Sequence, residues 1–278
     1  MILITGGRGA VATNLLGLLH DQGLPVQVAS SDPTKLDLPD GVESVKLDLT
    51  DPATFPTALS GITQVFLYAT ADHIGEFVDQ AVKAGVAHVV ILSSAAVLGP
   101  DPEHDPVAKS HLDVEQALLA SPIPTTILRP GSFAGNAGAW AWPIKSGQPV
   151  SLPYPNSFND PIHEADIAEA AYAVLTDPAH QGGQFYLTGP QAMTFAEQID
   201  QLADVIGHPI TINHVTRQQW KQEMADYIPG PYADSLLDWW ASNDGKPVEL
   251  TTTVQDLTGH PARTFTTWAG DHINSFKS

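Results

Sequence analysis

The first residues of the chain carry a glycine pattern suited to holding a phosphate group. The segment ILITGGRGAVATNLLGLL runs from a short apolar stretch through a glycine turn into helical spacing, with Ala12 at the third small position. Small residues let the backbone approach a pyrophosphate, and a helix N-terminus offers it unpaired N–H groups and a positive dipole. A tight turn that binds nothing could carry the same glycines. Here, however, a strand, a glycine turn and a helix follow one another in the order that a dinucleotide-binding motif requires. The segment therefore predicts a dinucleotide-binding turn made by Gly6, Gly7, Arg8, Gly9, Ala10 and Val11.

The end of the second predicted strand should decide which dinucleotide is bound. An acidic residue there would accept from a ribose 2′-hydroxyl, whereas hydroxyl and basic groups would hold a 2′-phosphate. The sequence places Ser30 and Ser31 there, with Asp32 just beyond, and Arg8 could reach the same group. We therefore expect NADP(H) in preference to NAD(H). The alternative is that Arg8 is simply solvated and Asp32 caps a turn.

Later strand ends supply further candidate cofactor contacts. Asp48 and Leu49 follow the third predicted strand, where a carboxylate could accept from an adenine amino group, although Asp48 could equally cap the next helix. Ala69, Thr70 and Ala71 follow the fourth strand, and their small side chains leave space for a ribose.

These residues need a parallel sheet to bring them together. Over the first 130 residues, runs that are apolar on both faces alternate with helical patterns, as parallel strands covered by helices require. The predicted strands are Ile2–Thr5, Val26–Ser30, Val45–Asp48, Val65–Ala69, Val89–Ser93 and Thr126–Leu128. This order predicts an α/β fold with a doubly wound parallel sheet. We expect residues 1–130 to form a dinucleotide-binding core. Residues 131–278 should form mainly a smaller α+β lobe on the substrate side, with some segments returning to the core.

Composition excludes several classes of protein. The 278 residues include no cysteine, so thiol catalysis and disulfides are ruled out, and the net charge of −19 argues against nucleic-acid binding. No apolar run approaches the length of about 18 residues that a membrane span needs, and MILITGG leaves no room for a signal peptide. We expect a cytoplasmic protein with a small-molecule substrate. The 11 histidines lack metal-ligand spacing, so no metal site is expected, and an oligomer is left open.

Six segments together resemble the atypical short-chain dehydrogenase/reductase superfamily and, more narrowly, its NmrA-like branch: TGGRGAVA, LDLTD, VVILSSAAV, HLDVE, ILRPGSFAGN and IHEADIAEAA. That branch includes NADPH-dependent quinone oxidoreductases, triphenylmethane dye reductases and redox-sensing regulators. The resemblance implies a Rossmann fold and a nicotinamide cofactor. It covers nearly the whole chain.

The resemblance fails at the usual proton donor. In the wider superfamily, a Ser or Thr after the fifth strand works with a Tyr-x-x-x-Lys helix, and Ser94 matches that serine. Aligning HLDVE puts Val107 at the tyrosine and His111 at the lysine, while Lys109 points about 200° away from His111. Alcohol dehydrogenation and sugar epimerisation need the missing phenol. A quinone does not, because its reduced form is a weakly basic phenolate that can take its proton from water.

The resemblance also implies candidate residues around the nicotinamide and the acceptor. Catalytic roles are expected for His111, Ser94 and Asn136, although a histidine that merely packs on the sheet is the open alternative for His111. The nicotinamide side would be lined by Ser93, Pro130, Gly131 and Ser132. Phe133, Trp140 and Trp142 would face the substrate, the tryptophans as stacking surfaces.

The sequence thus favours an NAD(P)H-dependent reductase that delivers hydride to a quinone-like or other conjugated small molecule. The alternative comes from a different class: a non-catalytic NAD(P)-sensing regulatory protein of the NmrA type. The absent tyrosine motivates it.

Overall fold

The computed structural model describes residues 1–277 and is organised around one seven-stranded parallel sheet. Its strand order is β3-β2-β1-β4-β5-β6-β9. The sheet strands are β1 (Ile2–Ile4), β2 (Val26–Ser30), β3 (Glu43–Lys46), β4 (Gln64–Tyr68), β5 (His88–Leu92), β6 (Thr125–Pro130) and β9 (Gln184–Leu187). The predicted doubly wound parallel fold is confirmed. The order reverses between β1 and β4, the place where such sheets bind ligands.

Helices cover both faces of this sheet. The helices are α1 (Ala10–Asp21), α2 (Phe55–Ala58), α3 (Ile74–Ala84), α4 (Pro106–Leu119), α5 (Ala141–Lys145), α6 (Glu164–Thr176), α7 (Phe195–Ile206), α8 (Arg217–Glu223), α9 (Gly230–Ser242), α10 (Thr253–Thr258) and α11 (Phe265–Asp271). α1 and α6 bury apolar residues against one face, and α2, α3 and α4 against the other. None of the helices in residues 1–277 combines the length and apolar character needed to cross a bilayer.

The third strand lies earlier than the apolar pattern predicts. It spans Glu43–Lys46 and pairs only with β2, at the edge of the sheet. Glu43, Ser44 and Lys46 are exposed. An edge strand need not be apolar on both faces, so the criterion used for buried strands misplaces it.

The second half of the chain contributes to the main sheet and also builds a smaller lobe. β9 pairs with β6, and α6 packs against α1. The lobe holds two two-stranded sheets, β7 (Val150–Leu152) with β11 (Ile212–His214) and β8 (Phe158–Asn159) with β10 (Met193–Thr194). Its own apolar core joins α5, α7 and α11. This lobe stands beside the carboxyl ends of β5 and β6, where the candidate site lies.

Candidate functional site

The glycine turn is shaped by a tyrosine from the neighbouring strand. Gly6 has φ +62, a left-handed conformation that favours glycine. A Cβ atom on Gly6 would lie 2.8 Å from Cδ2 of Tyr68, and one on Gly9 would lie 2.5 Å from the Tyr68 hydroxyl oxygen. That oxygen accepts a hydrogen bond from the backbone N–H of Ala12. The turn therefore needs glycine at both positions because Tyr68 packs against them.

The N-terminus of α1 fits a pyrophosphate. Its N-cap is Gly9, which makes no side-chain capping bond, and its first turn contains no acidic residue. By contrast, α4 begins under Asp105, whose carboxylate accepts from the N–H groups of Val107 and Ala108. An uncapped helix start beside a close-packed glycine turn can present N–H groups to a phosphate. Arg8 and Ala10 are exposed at this point, and Val11 is buried.

The carboxylate of Asp32, just after β2, is engaged by its neighbours in the chain. Asp32 accepts hydrogen bonds from the backbone and hydroxyl of Thr34, which lower its pKa, and its other oxygen lies 3.0 Å from Nζ of Lys35. Ser30 is buried and bonds within the same turn, whereas Ser31 is exposed. Asp32 therefore caps its own turn, as the alternative interpretation of this residue predicted.

The remaining predicted cofactor residues follow neighbouring strands. Oδ1 of Asp48 accepts from the backbone N–H of Thr50 at 3.0 Å and from its hydroxyl at 2.7 Å, so Asp48 does stabilise the turn after β3. Leu49 is half-buried. The half-buried residues Ala69, Thr70 and Ala71 follow β4. All of these lie at the carboxyl edge of the sheet, as the glycine turn does.

A cavity of about 1760 Å³ opens next to this edge, between the sheet and the smaller lobe. It contains most of the residues predicted to serve the nicotinamide and the acceptor, and these come from β4, β5, α4, β6 and the segment after β6. The predicted residues that line it are Ala69, Ser93, Ser94, His111, Pro130, Gly131, Ser132, Phe133, Asn136, Trp140 and Trp142. Side chains from these separate elements can therefore contact the same bound molecule.

His111 faces the cavity from α4. Val107, one turn earlier, lines the same wall, as the alignment of the two positions requires. Lys109 instead pairs with Asp113 at 2.6 Å on the outer surface. The buried Nδ1 atom of His111 has no hydrogen-bond partner. Burial lowers the pKa of His111, against an opposing effect of the Glu115 charge, so the ring is neutral near pH 7.

The two serines after β5 point to different partners. Ser94 accepts a hydrogen bond from the N–H of Ala96, which leaves its own proton free to be donated into the cavity. Ser93 is buried and donates to Glu115 on α4. Its hydroxyl proton is therefore engaged by Glu115, although Ser93 also lines the cavity.

Glu115 and Arg129 form a buried ion pair beneath the site. Nε of Arg129 donates to one oxygen of Glu115 at 2.9 Å and Nη2 donates to the other at 2.5 Å. Glu115 is 2% exposed. This bidentate contact ties α4, which carries His111, to β6, which ends at Pro130.

Sequence reasoning missed an acidic residue in the cavity wall. Asp160 is 2% exposed, and its carboxylate accepts from the N–H of Ser132 at 2.9 Å and from the hydroxyl of Tyr186 at 3.2 Å. Burial raises the pKa of Asp160 to about 6. Burial and the neighbouring Asp160 charge also raise the pKa of Tyr186. The carboxylate packs so closely against Gly131 that a Cβ atom there would clash with it.

The predicted aromatic surfaces differ in exposure. Trp140 is 9% exposed and meets Phe195 edge-on with ring centroids 6.1 Å apart, so it is partly a core residue. Trp142 is 72% exposed at the cavity edge. Three further tryptophans line the cavity, Trp220 on α8 and Trp239 and Trp240 on α9, and the ring centroids of Trp220 and Trp240 are 4.9 Å apart. Only the packing of α8 on α9 shows that these rings line the same cavity.

Three residues outside the cavity come together although their spacing is not metal-like. Ligand atoms of His163, Glu164 and His272 lie within 4.8 Å of one another. Nε2 of His272 contacts Glu164 at 2.8 Å, while Nδ1 of His163 accepts from the N–H of Ala165. These contacts join the start of α6 to the segment after α11. The prediction of no metal site stays a prediction.

Comparisons with known proteins agree with the glycine turn and the sheet. The model of a family described as NAD(P)H-binding matches residues 6–178. The chain is 34% identical over 281 residues to (4-alkanoyl-5-oxo-2,5-dihydrofuran-3-yl)methyl phosphate reductase of Streptomyces griseus, covering 99% of each. It is 29% identical to NAD(P)H azoreductase of Xenophilus azovorans, again covering 99% of each.

A solved structure shares the architecture. The NADPH-dependent quinone oxidoreductase of Escherichia coli, complexed with NADPH, superposes with a TM-score of 0.82 at 23% identity, covering 99% of this chain and 100% of that one. The family match spans most of the chain, and the Streptomyces relative matches it end to end. This chain belongs to the NAD(P)H-binding family of oxidoreductases.

Proposed function

We propose that this protein is an NADPH-dependent reductase of quinone-like or otherwise conjugated small molecules. The observation that carries the proposal is the aromatic-lined cavity of about 1760 Å³, which opens beside the carboxyl ends of β5 and β6. It contains Val107 and His111 at the positions where a phenol and a lysine, respectively, would serve alcohol chemistry. A wall without that phenol suits acceptors whose reduced form is weakly basic. The names of the azoreductase and quinone oxidoreductase relatives support this class of acceptor.

Residues of the glycine turn would hold the cofactor diphosphate. The uncapped start of α1 and the close-packed Gly6 and Gly9 fit it, and Arg8 and Ser31 are exposed near the β2 end where a 2′-phosphate would lie. Exposure of Arg8 and Ser31 is what favours NADPH over NADH, since Asp32 caps its own turn and argues for neither dinucleotide. When bound, the reduced nicotinamide would supply a hydride equivalent to the acceptor.

The chain's own groups would orient the acceptor and manage protons. His111 is neutral and its Nδ1 lacks a partner, so it can bond a cofactor hydroxyl or an acceptor oxygen. Ser94 can donate its hydroxyl proton, and Asn136 offers an amide at the cavity edge. For acceptors that need a proton, Tyr186 would donate from its hydroxyl and regain a proton from protonated Asp160, which lies 3.2 Å away. Phe133, Trp140 and Trp142 would contact the acceptor ring.

Two measurements test the proposal. Calorimetry should show that the protein binds NADPH more tightly than NADH. Arg8→Ala should reduce the difference in affinity between the two dinucleotides. Purified protein given NADPH and a panel of quinones, azo dyes and enones should lose absorbance at the nicotinamide band. Tight NADPH binding without oxidation by any acceptor would instead favour a regulatory cofactor sensor. Absence of binding to either dinucleotide would contradict both functions.

A further inference from the structure

The acidic side chains of the cavity wall have no lysine or arginine beside them in the lining that the structure describes. Among the described residues that line the cavity are three carboxylates, Asp105, Asp160 and Glu223, but no lysine or arginine. His111 is the imidazole of the lining, and its pKa is lowered by burial. The whole chain has the same bias, with 12 basic residues against 31 acidic ones. An anionic molecule entering the cavity would therefore be repelled both locally and at longer range.

The two basic residues of α8 are already paired. On α8, Arg217 contacts Asp238 at 2.5 Å and Lys221 contacts Asp234 at 2.5 Å, and both partners lie on α9. These ion pairs bridge the two helices that form the outer wall. Glu223 stands on α8 beyond them, exposed and turned to the cavity. An entering molecule therefore meets the unpaired carboxylate of Glu223 on the outer wall, while the charges of Arg217 and Lys221 are already neutralised by their partners.

The aromatic lining suits a flat ring and tolerates positive charge. Five of the chain's six tryptophans line the cavity: Trp140, Trp142, Trp220, Trp239 and Trp240. Trp240 meets both Trp220 and Phe195 edge-on, at centroid separations of 4.9 and 5.2 Å. The faces of such rings attract cations, whereas anions gain nothing from them.

We propose that the cavity selects its acceptor by charge, taking neutral or cationic planar molecules and rejecting those with a permanent negative charge, with Glu223 as a specificity-determining residue. This inference rests on the proposed reductase function for its biological meaning, but it concerns binding and can be tested apart from turnover. It also separates this chain from its Streptomyces relative, whose name specifies a phosphate ester. A phosphate group in this cavity would meet carboxylates rather than a cation.

The binding test uses three naphthalenes that differ in charge alone as far as chemistry allows. Calorimetric titration of the NADPH-loaded protein with naphthalene-2-methanol, naphthalene-2-sulfonate and a 2-naphthyl trimethylammonium salt should give the weakest binding for the sulfonate. Repeating the titrations from low to high ionic strength should reduce the difference, because screening acts on charge and not on shape. Equal affinities, or tightest binding of the sulfonate, would overturn the inference.

The variant test assigns the selectivity to a residue. Glu223→Lys should shift the ratio of sulfonate to ammonium affinity toward the anion by about tenfold at low salt, and Glu223→Gln by about threefold. Asp79→Lys is the matched control, since it makes the same charge change at an exposed position on α3 and lies outside the cavity lining. A ratio that responds to salt yet is equally shifted by Asp79→Lys would refute the assignment to Glu223.

Steady-state kinetics provide a third test of the charge selectivity. The ratio of kcat/KM for 1,4-naphthoquinone to that for its 2-sulfonate should fall in Glu223→Lys relative to the unmodified protein, and comparing ratios cancels the intrinsic reactivity of the two quinones. If neither quinone is reduced, the reductase function fails, while the titrations still decide the charge selectivity. If both are reduced with a ratio that neither salt nor Glu223→Lys alters, the selectivity fails and the function stands.

Discussion

Asp160 accepts a hydrogen bond from the hydroxyl of Tyr186 across 3.2 Å inside the cavity, although 25 residues separate them in the chain. The second oxygen of Asp160 is bonded to the N–H of Ser132 at 2.9 Å. One carboxylate thereby connects the loop after β6, strand β9 and the segment after β8. Because it is buried, its protonation affects both the stability of the protein and the chemistry of the cavity.

Asp160 should make the protein lose stability as pH rises through about 6. Its pKa is raised to about 6 by burial, whereas an unfolded aspartate has its ordinary value of 3.8. The folded state therefore binds more protons between these values, and the stability gained from protonation disappears above the folded pKa. Urea unfolding at pH 5.5 and 7.5 should show a contribution of about 1 kcal/mol lost over this interval.

Asp160→Asn isolates this contribution, since the amide keeps the shape of the protonated acid. The difference in unfolding free energy between this variant and the unmodified protein should move in favour of the variant as pH rises. A difference that is constant between pH 5.5 and 7.5 would show that the carboxyl does not titrate there.

The same pair should control reduction of acceptors that need a proton. With an enone, kcat should fall as pH rises above about 6 because protonated Asp160 becomes scarce, and Tyr186→Phe should lower kcat by about 10²-fold. With a quinone, whose reduced form takes its proton from water, the same variant should retain most of its rate. Stopped-flow measurement of nicotinamide oxidation over pH 5.5–8 compares the two. An equal loss with both acceptors would argue for a positioning role of Tyr186 rather than proton donation.

His111 should contribute binding energy to the cofactor or acceptor. Replacing it by leucine removes a polar group whose Nδ1 has no partner within the protein, so folding should suffer little. One lost hydrogen bond corresponds to about 1 kcal/mol, or about a fivefold weaker interaction. Calorimetry would detect this in the NADPH Kd, and steady-state kinetics in the acceptor KM. Lys109→Ala, two residues away but paired with Asp113 outside the cavity, should change neither.

The ion pair between Glu115 and Arg129 should be necessary for stability. Arg129→Met leaves the carboxylate of Glu115, which is 2% exposed, without its cation, and breaking a buried pair in this way costs about 3–5 kcal/mol. Chemical unfolding at pH 7 measures the loss. Arg217→Met breaks the exposed pair with Asp238 and should cost less than about 1 kcal/mol. Similar losses in the two variants would mean that burial does not set the cost.

Local patterns predicted the parts of the protein that depend on local sequence. The glycine turn, the alternation of strands and helices, and the positions of Ser94 and His111 could all be inferred because neighbouring residues specify them. Asp160 and Tyr186 could not, since their meeting depends on how β9 joins β6 and on the path of the loop that carries Asp160. The sequence itself shows only an acidic residue before Pro161 in the segment FNDPIHEAD.

The outer wall of the cavity, formed by α8 and α9, could not be predicted either, because it too depends on how distant segments pack. Trp220 and Trp240 lie on separate helices, and only the packing of α8 against α9 brings their rings together. Edge strand β3 shows the opposite error, in which a rule for buried strands was applied to an exposed one. Sequence patterns report burial of an element well, but they do not report which partner buries it.

Gly9 should be required for cofactor binding because of Tyr68. In Gly9→Ala the new Cβ atom would lie 2.5 Å from the Tyr68 hydroxyl oxygen, so the turn must shift and the N–H groups at the start of α1 must move with it. NADPH affinity should fall at least tenfold by calorimetry. Adding Tyr68→Phe removes the clashing oxygen and should restore part of the affinity. Gly17→Ala, within α1 and with nothing within 4 Å of its Cβ position, should leave NADPH affinity unchanged and raise stability by up to about 1 kcal/mol. If Gly9→Ala binds NADPH normally, the close packing of the turn is not what shapes the cofactor site.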